Sequence, residues 1–163
     1  MSPTLPTEFK KILRFTLAGS HYAVTLPVVE RVVRAVAIQP LPQAPPFILG
    51  VINVQGHIIP AVDLRQRFGL PPRAAGLDDP FILARTSRRR VALVIDSVEG
   101  VHDLTDSETV PAEQVAAGGE CLHGLAKLQD NLVVIFDLDQ FLSPADERSL
   151  DEAMDEGPTG VAP

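Results

Sequence analysis

An internal repeat constrains this 163-residue chain more than any other feature of it. Residues 50–68, GVINVQGHIIPAVDLRQRF, lie without gaps on residues 124–142, GLAKLQDNLVVIFDLDQFL. Five of the 19 positions are identical (Gly50 with Gly124, Gln55 with Gln129, Asp63 with Asp137, Leu64 with Leu138, Gln66 with Gln140), and at most of the others an apolar residue faces an apolar one. Upstream, residues 23–32 (AVTLPVVERV) fall on 92–101 (ALVIDSVEGV) at a spacing of 69, which also brings Leu41-Pro42 onto Val110-Pro111. The spacing grows to 74 by the glycines, and an insertion of five residues around 115–120 accounts for the growth. Any two β segments share alternating valines and isoleucines, but a run of matches in one order reads as a duplication.

The duplicated unit is β-rich. Short β-branched runs bounded by glycine or proline predict strands at 12–17, 22–26, 31–36, 50–54 and 57–62, then at 81–86, 91–96, 99–104, 124–128 and 131–136. Each series has five members, and 15 prolines favour short elements over long helices. A lone unit of about 60 residues buries only about 60% of its unfolded surface and is marginal. The expectation is therefore an all-β fold with short helices, in which two five-stranded barrels pack as one unit, the first repeat spanning about 12–68 and the second about 81–142.

Charge marks the ends of this domain. The formal net charge is −7, but from residue 145 onward six acids meet one base, so the preceding part is nearly neutral. Residues 143–163 are expected to form an acidic, partly helical or disordered tail that is solvated and frays, and residues 1–8 an N-terminal extension. A chain without a positive field is a poor ligand for phosphate backbones, and one tyrosine with no tryptophan offers no stacking platform, so no nucleic-acid partner is expected. Cys121 is the only cysteine, which excludes an intramolecular disulfide and a cysteine-rich zinc site. The opening MSPTLPTEFKK lacks the apolar run of a signal peptide, and no later run approaches the ~18 residues that span a bilayer, so a cytoplasmic protein without direct membrane insertion is expected.

Candidate chemistry is sparse. His21, His57, His102 and His123 are scattered, and Cys121-x-His123 is the nearest approach to a ligand pair; no metal and no cofactor are expected. Asp63 and Asp137 occupy equivalent positions where a strand stops, which suits helix capping better than cation binding. No nucleophile elbow, phosphate loop or zincin motif occurs, so no catalytic residue is assigned and no enzyme is expected. Ser87-Arg88-Arg89-Arg90 reads as a hairpin turn with a solvated charge cluster, although three arginines can also grip an acidic partner. Residues 40–46, PLPQAPP, read as a stiff connector in preference to a polyproline ligand.

At residues 41–64, LPQAPPFILGVINVQGHIIPAVDL, pattern becomes resemblance. The proline-bounded loop, apolar strand, Asn-x-x-Gly turn, Ile-Ile-Pro strand and Asp-Leu stop are together similar to the CheW-like family of bacterial chemosensory adaptors. FTLAGSHYAVTLPVVERV, RVALVIDSVEGV and GLAKLQDNLVVIFDLDQFL agree with it, so the resemblance covers about residues 9–142. It implies twin five-stranded SH3-like barrels, no catalysis, and a role coupling methyl-accepting chemoreceptors to a CheA-type histidine kinase whose regulatory domain has the same fold. It also implies recruitment to receptor–kinase assemblies at the inner membrane. A stand-alone small-barrel interaction module, unconnected to receptors, is the alternative.

The resemblance implies a groove for the helical tip of a receptor and a barrel end for the kinase. Val29, Arg31, Val54, Gln55 and Gly56 are the candidates for the groove, and Val98 and Val101 for the kinase face. Core burial competes for each of these valines, and for Val32 and Val62 it is the better reading. Gly56 is expected at positive φ in a tight turn. Two positions depart from the family: Gln55 stands where arginine is usual and Arg31 where glutamate is frequent, so the pair retains a possible hydrogen bond and loses a salt bridge. An altered partner surface and neutral drift at an exposed pair both account for this.

Overall fold

In a computed structural model of the chain, the residues described are 11–34, 36–72, 79–111, 122–128 and 131–156. The elements run β1 (Lys11–Leu17), β2 (Ser20–Thr25), β3 (Val29–Val33), β4 (Ile48–Val54), β5 (His57–Asp63), α1 (Leu64–Phe68), β6 (Phe81–Arg85), β7 (Arg90–Val94), β8 (Ser97–Asp103), β9 (Thr109–Pro111), β10 (Leu122–Leu128), β11 (Asn131–Phe136) and α2 (Pro144–Glu156). They form two sheets, ordered β8-β1-β2-β11-β10-β9 and β3-β6-β7-β5-β4. We call these barrel A and barrel B.

The repeat is written into the register. Shifting β1, β2 and β3 by 69 residues, and β4 and β5 by 74, turns the order of one sheet into that of the other. Both sheets close on a parallel pair: Ala61 lies opposite Ala92 in barrel B, and Ile135 opposite Ala23 in barrel A. Barrel B is completed by a bridge in which Gln39 exchanges two 2.8 Å backbone hydrogen bonds with Val51, and barrel A by β9 on β10. The sequence patterns do not reveal β9, because three residues are too few to show a period.

The barrels do not follow the halves of the sequence, which corrects the expected division at 68/81. β1 and β2 join strands of the second half in barrel A, and β6 and β7 join strands of the first half in barrel B. Barrel B is therefore one unbroken stretch from Val29 to Val94, set into barrel A.

Each barrel has its own apolar filling. Ile52, Val54, Ile59, Ala61, Phe81, Leu83 and Ala92 fill barrel B, and Ile12, Ala23, Leu104, Ala126, Leu128, Val133 and Ile135 fill barrel A. These residues include six pairs of repeat mates, and volume is traded within the pairs: Ile12 and Ile135 in barrel A become Phe81 and Ala61 in barrel B, keeping the interior close-packed. Between the barrels lies a third core to which both halves contribute, with Phe15, Phe136 and Phe141 buried in it. Tyr22 stacks on Phe68 at 5.2 Å, and Phe136 and Phe141 meet Phe68 edge-on or nearly so at 5.4 and 6.3 Å.

Polar staples cross the same seam. From α1, Arg65 donates to Asp96 Oδ2 at 2.5 Å and to the Pro71 carbonyl at 2.9 Å, while Ala18 N–H of barrel A donates to the same Asp96 oxygen at 3.0 Å. Asp63 caps α1 by accepting from the backbone of Arg65 and Gln66, and its mate Asp137 accepts from Asp139 N–H, as the capping reading expected.

The acidic tail is corrected in part. Residues 144–156 form a helix docked on the central core, with Leu150 and Ala153 fully buried and the Glu147 side chain only 6% exposed. Arg89 holds it, donating from Nε to Glu147 at 3.0 Å, from Nη1 to Met154 Sδ at 3.8 Å and to Asp151. Arg90 pairs with Glu30 at 2.7 Å, so two of the three hairpin arginines serve the fold and only Arg88 fits the solvated reading. The expected insertion at 115–120, Cys121, and residues 1–8 and 157–163 lie outside the described residues.

Candidate functional site

Strand direction gathers the receptor candidates. β3 is antiparallel to β6, β6 to β7, and β7 parallel to β5, so the start of β3, the β6–β7 hairpin and the β4–β5 turn share one end of barrel B. Val29, Arg31, Val54, Gln55 and Gly56 are all at this end, but in different roles. Val54 belongs to the barrel filling, and Val29 is half-buried against the central core. Arg31, Gln55 and Gly56 are exposed. The turn is the two-residue kind in which both residues are left-handed, with φ 52° at Gln55 and 85° at Gly56, and Asn53 Oδ1 accepts from Gly56 N–H at 2.9 Å. Gly56 is thus at positive φ as expected. Among the described residues neither Arg31 nor Gln55 makes a side-chain hydrogen bond or ion pair, so the shared hydrogen bond left open by the sequence is not formed.

A bulge sets the start of β3. The pairing of β3 with β6 passes from Val29 opposite Ala84 to Arg31 opposite Leu83, leaving Glu30 as the extra residue, which turns its carboxylate to Arg90. The same device recurs in barrel A, where the pairing of β1 with β8 slips at Glu99 and that carboxylate meets His21 at 2.7 Å and Arg14 at 3.6 Å. Alternation alone cannot reveal a bulge, and this explains why the predicted third strand of each half begins two residues late.

The kinase candidates are the repeat mates of residues on β3. Val98 corresponds to Val29 and is likewise half-buried against the central core; Val101 corresponds to Val32. Among the described residues, the large hydrophobic ones that stand exposed are Val32 at 41%, Ile58 at 48%, Val101 at 58% and Leu132 at 58%. They form two mated pairs, Val32 with Val101 on β3 and β8, and Ile58 with Leu132 on β5 and β11. The core reading thus holds for Val62, which is fully buried, and is corrected for Val32. Ile58 and Leu132 escaped the sequence reading, although a signal exists: in Ile58-Ile59 and Leu132-Val133 two consecutive apolar residues cannot both face inward.

Between the barrels an open cleft of about 500 Å³ is lined by Val32, Val33, Arg34 and Pro80 of barrel B and by Asp96, Ser97 and Val98 at the start of β8 in barrel A. The titratable groups whose pKa is shifted serve structure. Glu108 caps its own turn, and the Thr105 N–H, donating at 2.8 Å, holds the carboxyl below the usual range against desolvation, with the Thr105 hydroxyl and His102 adding to the lowering. Burial tends to lower the Arg89 pKa, but its hydrogen bonds to Asp151 and Glu147 outweigh that and hold it raised. Burial alone raises Tyr22. Among the described residues no three histidines, cysteines or carboxylates gather as metal ligands.

A double barrel whose exposed apolar residues come in mated pairs is built as an interaction protein. Its family follows from comparison: residues 11–146 match the CheW-like domain, and the chain belongs to that family. It is 29% identical over 139 residues to a chemotaxis protein CheW of Klebsiella aerogenes, covering 84% of each chain. It is 25% identical over 141 residues to one of Rhizobium meliloti, covering 85% of this chain and 90% of that one. Its structure resembles the crystal structure of the scaffolding protein TtCheW from Thermoanaerobacter tengcongensis with a TM-score of 0.76 and 31% identity, over 84% of this chain and 94% of that one. This is a chemotaxis scaffold fold, as the sequence motifs implied.

Proposed function

We propose that the chain is a non-catalytic adaptor that couples methyl-accepting chemoreceptors to a CheA-type histidine kinase at the inner membrane. The observation that carries this reading is the pairing of exposed apolar residues: Val32 and Ile58 on one barrel, Val101 and Leu132 on the other. Two surfaces on one stapled body allow the position of one partner to bear on the other through shared contacts. The names of the relatives, chemotaxis proteins and a scaffolding protein, support the pathway. In this reading the end of barrel B bearing Val29, Arg31 and the Val54-Gln55-Gly56 turn receives the helical tip of a receptor, and the Val98 and Val101 strand of barrel A meets the regulatory domain of the kinase.

The test is a titration of the full chain with each partner separately. Val101→Asp places a charge on a residue that is already 58% exposed, so the fold is retained and affinity for the kinase domain falls about tenfold or more while the receptor fragment still binds. Equal loss of both partners, or of neither, overturns the assignment of faces. A chain that binds neither partner before mutation is the stand-alone module instead.

A further inference from the structure

The repeat creates two mated junctions between a hairpin and the turn of helix that follows a strand, and they are filled differently. At the first, Ala18 N–H in the β1–β2 turn donates to the Asp96 carboxylate at 3.0 Å, and Arg65 of α1 closes on the same oxygen at 2.5 Å. At the second, Ser87 of the β6–β7 turn is the mate of Ala18, and its N–H donates to the Asp139 carboxylate at 2.6 Å. Asp139, however, stands where Arg65 stands, and Pro27 where Asp96 stands. The hairpin-bound carboxylate is kept, and the guanidinium that would cover it is replaced. An open cavity of about 330 Å³ lies there, between the hairpin, the turn that follows β11 and the start of α2, a size that suits a small ligand.

Three charged residues line this cavity, and Arg89 already takes Glu147. The other two, Arg88 on the hairpin and Asp139 on the turn, are exposed, and among the described residues neither has an ion-pair partner, each other included. Both walls are held in place: Thr86 Oγ1 accepts from the N–H groups of Arg88 and Arg89 at 3.1 and 3.0 Å, and Asp139 N–H donates to Asp137 at 3.0 Å. Leu138 and Leu142, both buried, add an apolar lining. We infer that the cavity binds a small zwitterion, with a guanidinium-like head on Asp139, a carboxylate on Arg88 and a methylene stem along the two leucines. The arginine seated at the mated junction gives the class of the cation, and the planar fork of Arg88 suits a carboxylate. A simple cation is opposed by Arg88 and a simple anion by Asp139, so a ligand with both charges is selected over either alone. No partner protein is involved, and the site stands or falls apart from the adaptor reading.

Titration of the full chain with γ-guanidinobutyrate, followed by the backbone amide resonances in an NMR spectrum, tests this. Saturable shifts are expected at Ser87, Arg88 and Asp139, with butylguanidine and butyrate each binding about tenfold more weakly, since each lacks one charge. Asp139→Asn retains an acceptor for Ser87 N–H, and Arg88→Gln changes an exposed side chain, so both variants should melt with the parent chain while binding the zwitterion about tenfold more weakly. Asp103→Asn, which removes an exposed charge on β8, should leave binding unchanged. Shifts that do not saturate, or binding that survives Asp139→Asn, overturn the inference. So does butylguanidine binding as tightly as the zwitterion, which would make the cavity a seat for a bare cationic side chain of another protein. The adaptor reading fails separately, when the parent chain binds neither a receptor fragment nor a kinase regulatory domain.

Discussion

Three residues of the β4–β5 hairpin separate local strain from steric contact. Gly56, at φ 85°, has open space where a side chain would go, so Gly56→Val is charged only for its backbone, roughly 1–2 kcal/mol. Gly50 is the opposite case: a Cβ there would lie 2.1 Å from the Gln39 carbonyl oxygen, at the bridge that closes barrel B, and Gly50→Ala is expected to cost about 3 kcal/mol. Gln55, left-handed without being glycine, gains about 0.5 kcal/mol as Gln55→Gly, the relieved strain exceeding the entropy lost. Urea melts should place Gln55→Gly slightly above the parent chain, Gly56→Val below it and Gly50→Ala lowest, and a Gly56→Val chain that kept its stability but lost a partner would move Gly56 from the fold to the binding surface.

At the scale of elements, α2 is the piece whose attachment depends on one side chain. Arg89 is the guanidinium facing Glu147, a carboxylate almost wholly out of water, so Arg89→Met leaves that charge unpaired and is expected to cost about 3 kcal/mol. Glu147→Gln should cost less, because the amide still accepts a hydrogen bond. Hydrogen exchange across residues 144–156 checks both, and protection unchanged in Arg89→Met would show that Leu150 and Ala153 hold the helix unaided. The acids of α2 suggested solvent when read as composition, whereas the fold uses two of them to balance an arginine 58 to 62 residues away. The β4–β5 turn was readable because its Asn-x-x-Gly spacing is local chemistry; the partner of Arg89 was not, since nothing near either residue in the chain records the other.

The whole molecule shows why the repeat could be read and its pairing could not. β1 and β6 are mates, as are β2 and β7, so each pair fits either barrel by pattern, and periodicity cannot tell which it completes. The exposed mates Val32 and Val101 were ambiguous for the same reason: a valine on an edge strand satisfies the core pattern wherever it points. The exchange has a measurable consequence. A chain cut by an engineered protease site between residues 72 and 79 should remain one particle in gel filtration, because β3 still pairs β6, β5 pairs β7, β1 pairs β8 and β2 pairs β11 across the cut. Fragments that separated under native conditions would mean that each half folds on itself.

Because barrel B runs without interruption from Val29 to Val94, its strands have all been synthesised while barrel A still lacks β8 to β11. On the ribosome the second-begun barrel can thus close first, while the β1–β2 hairpin waits for β8 on one side and for β11 on the other, until the chain has been extended past Phe136. Val32 and Ile58 are therefore set in their barrel before their mates Val101 and Leu132 have been made.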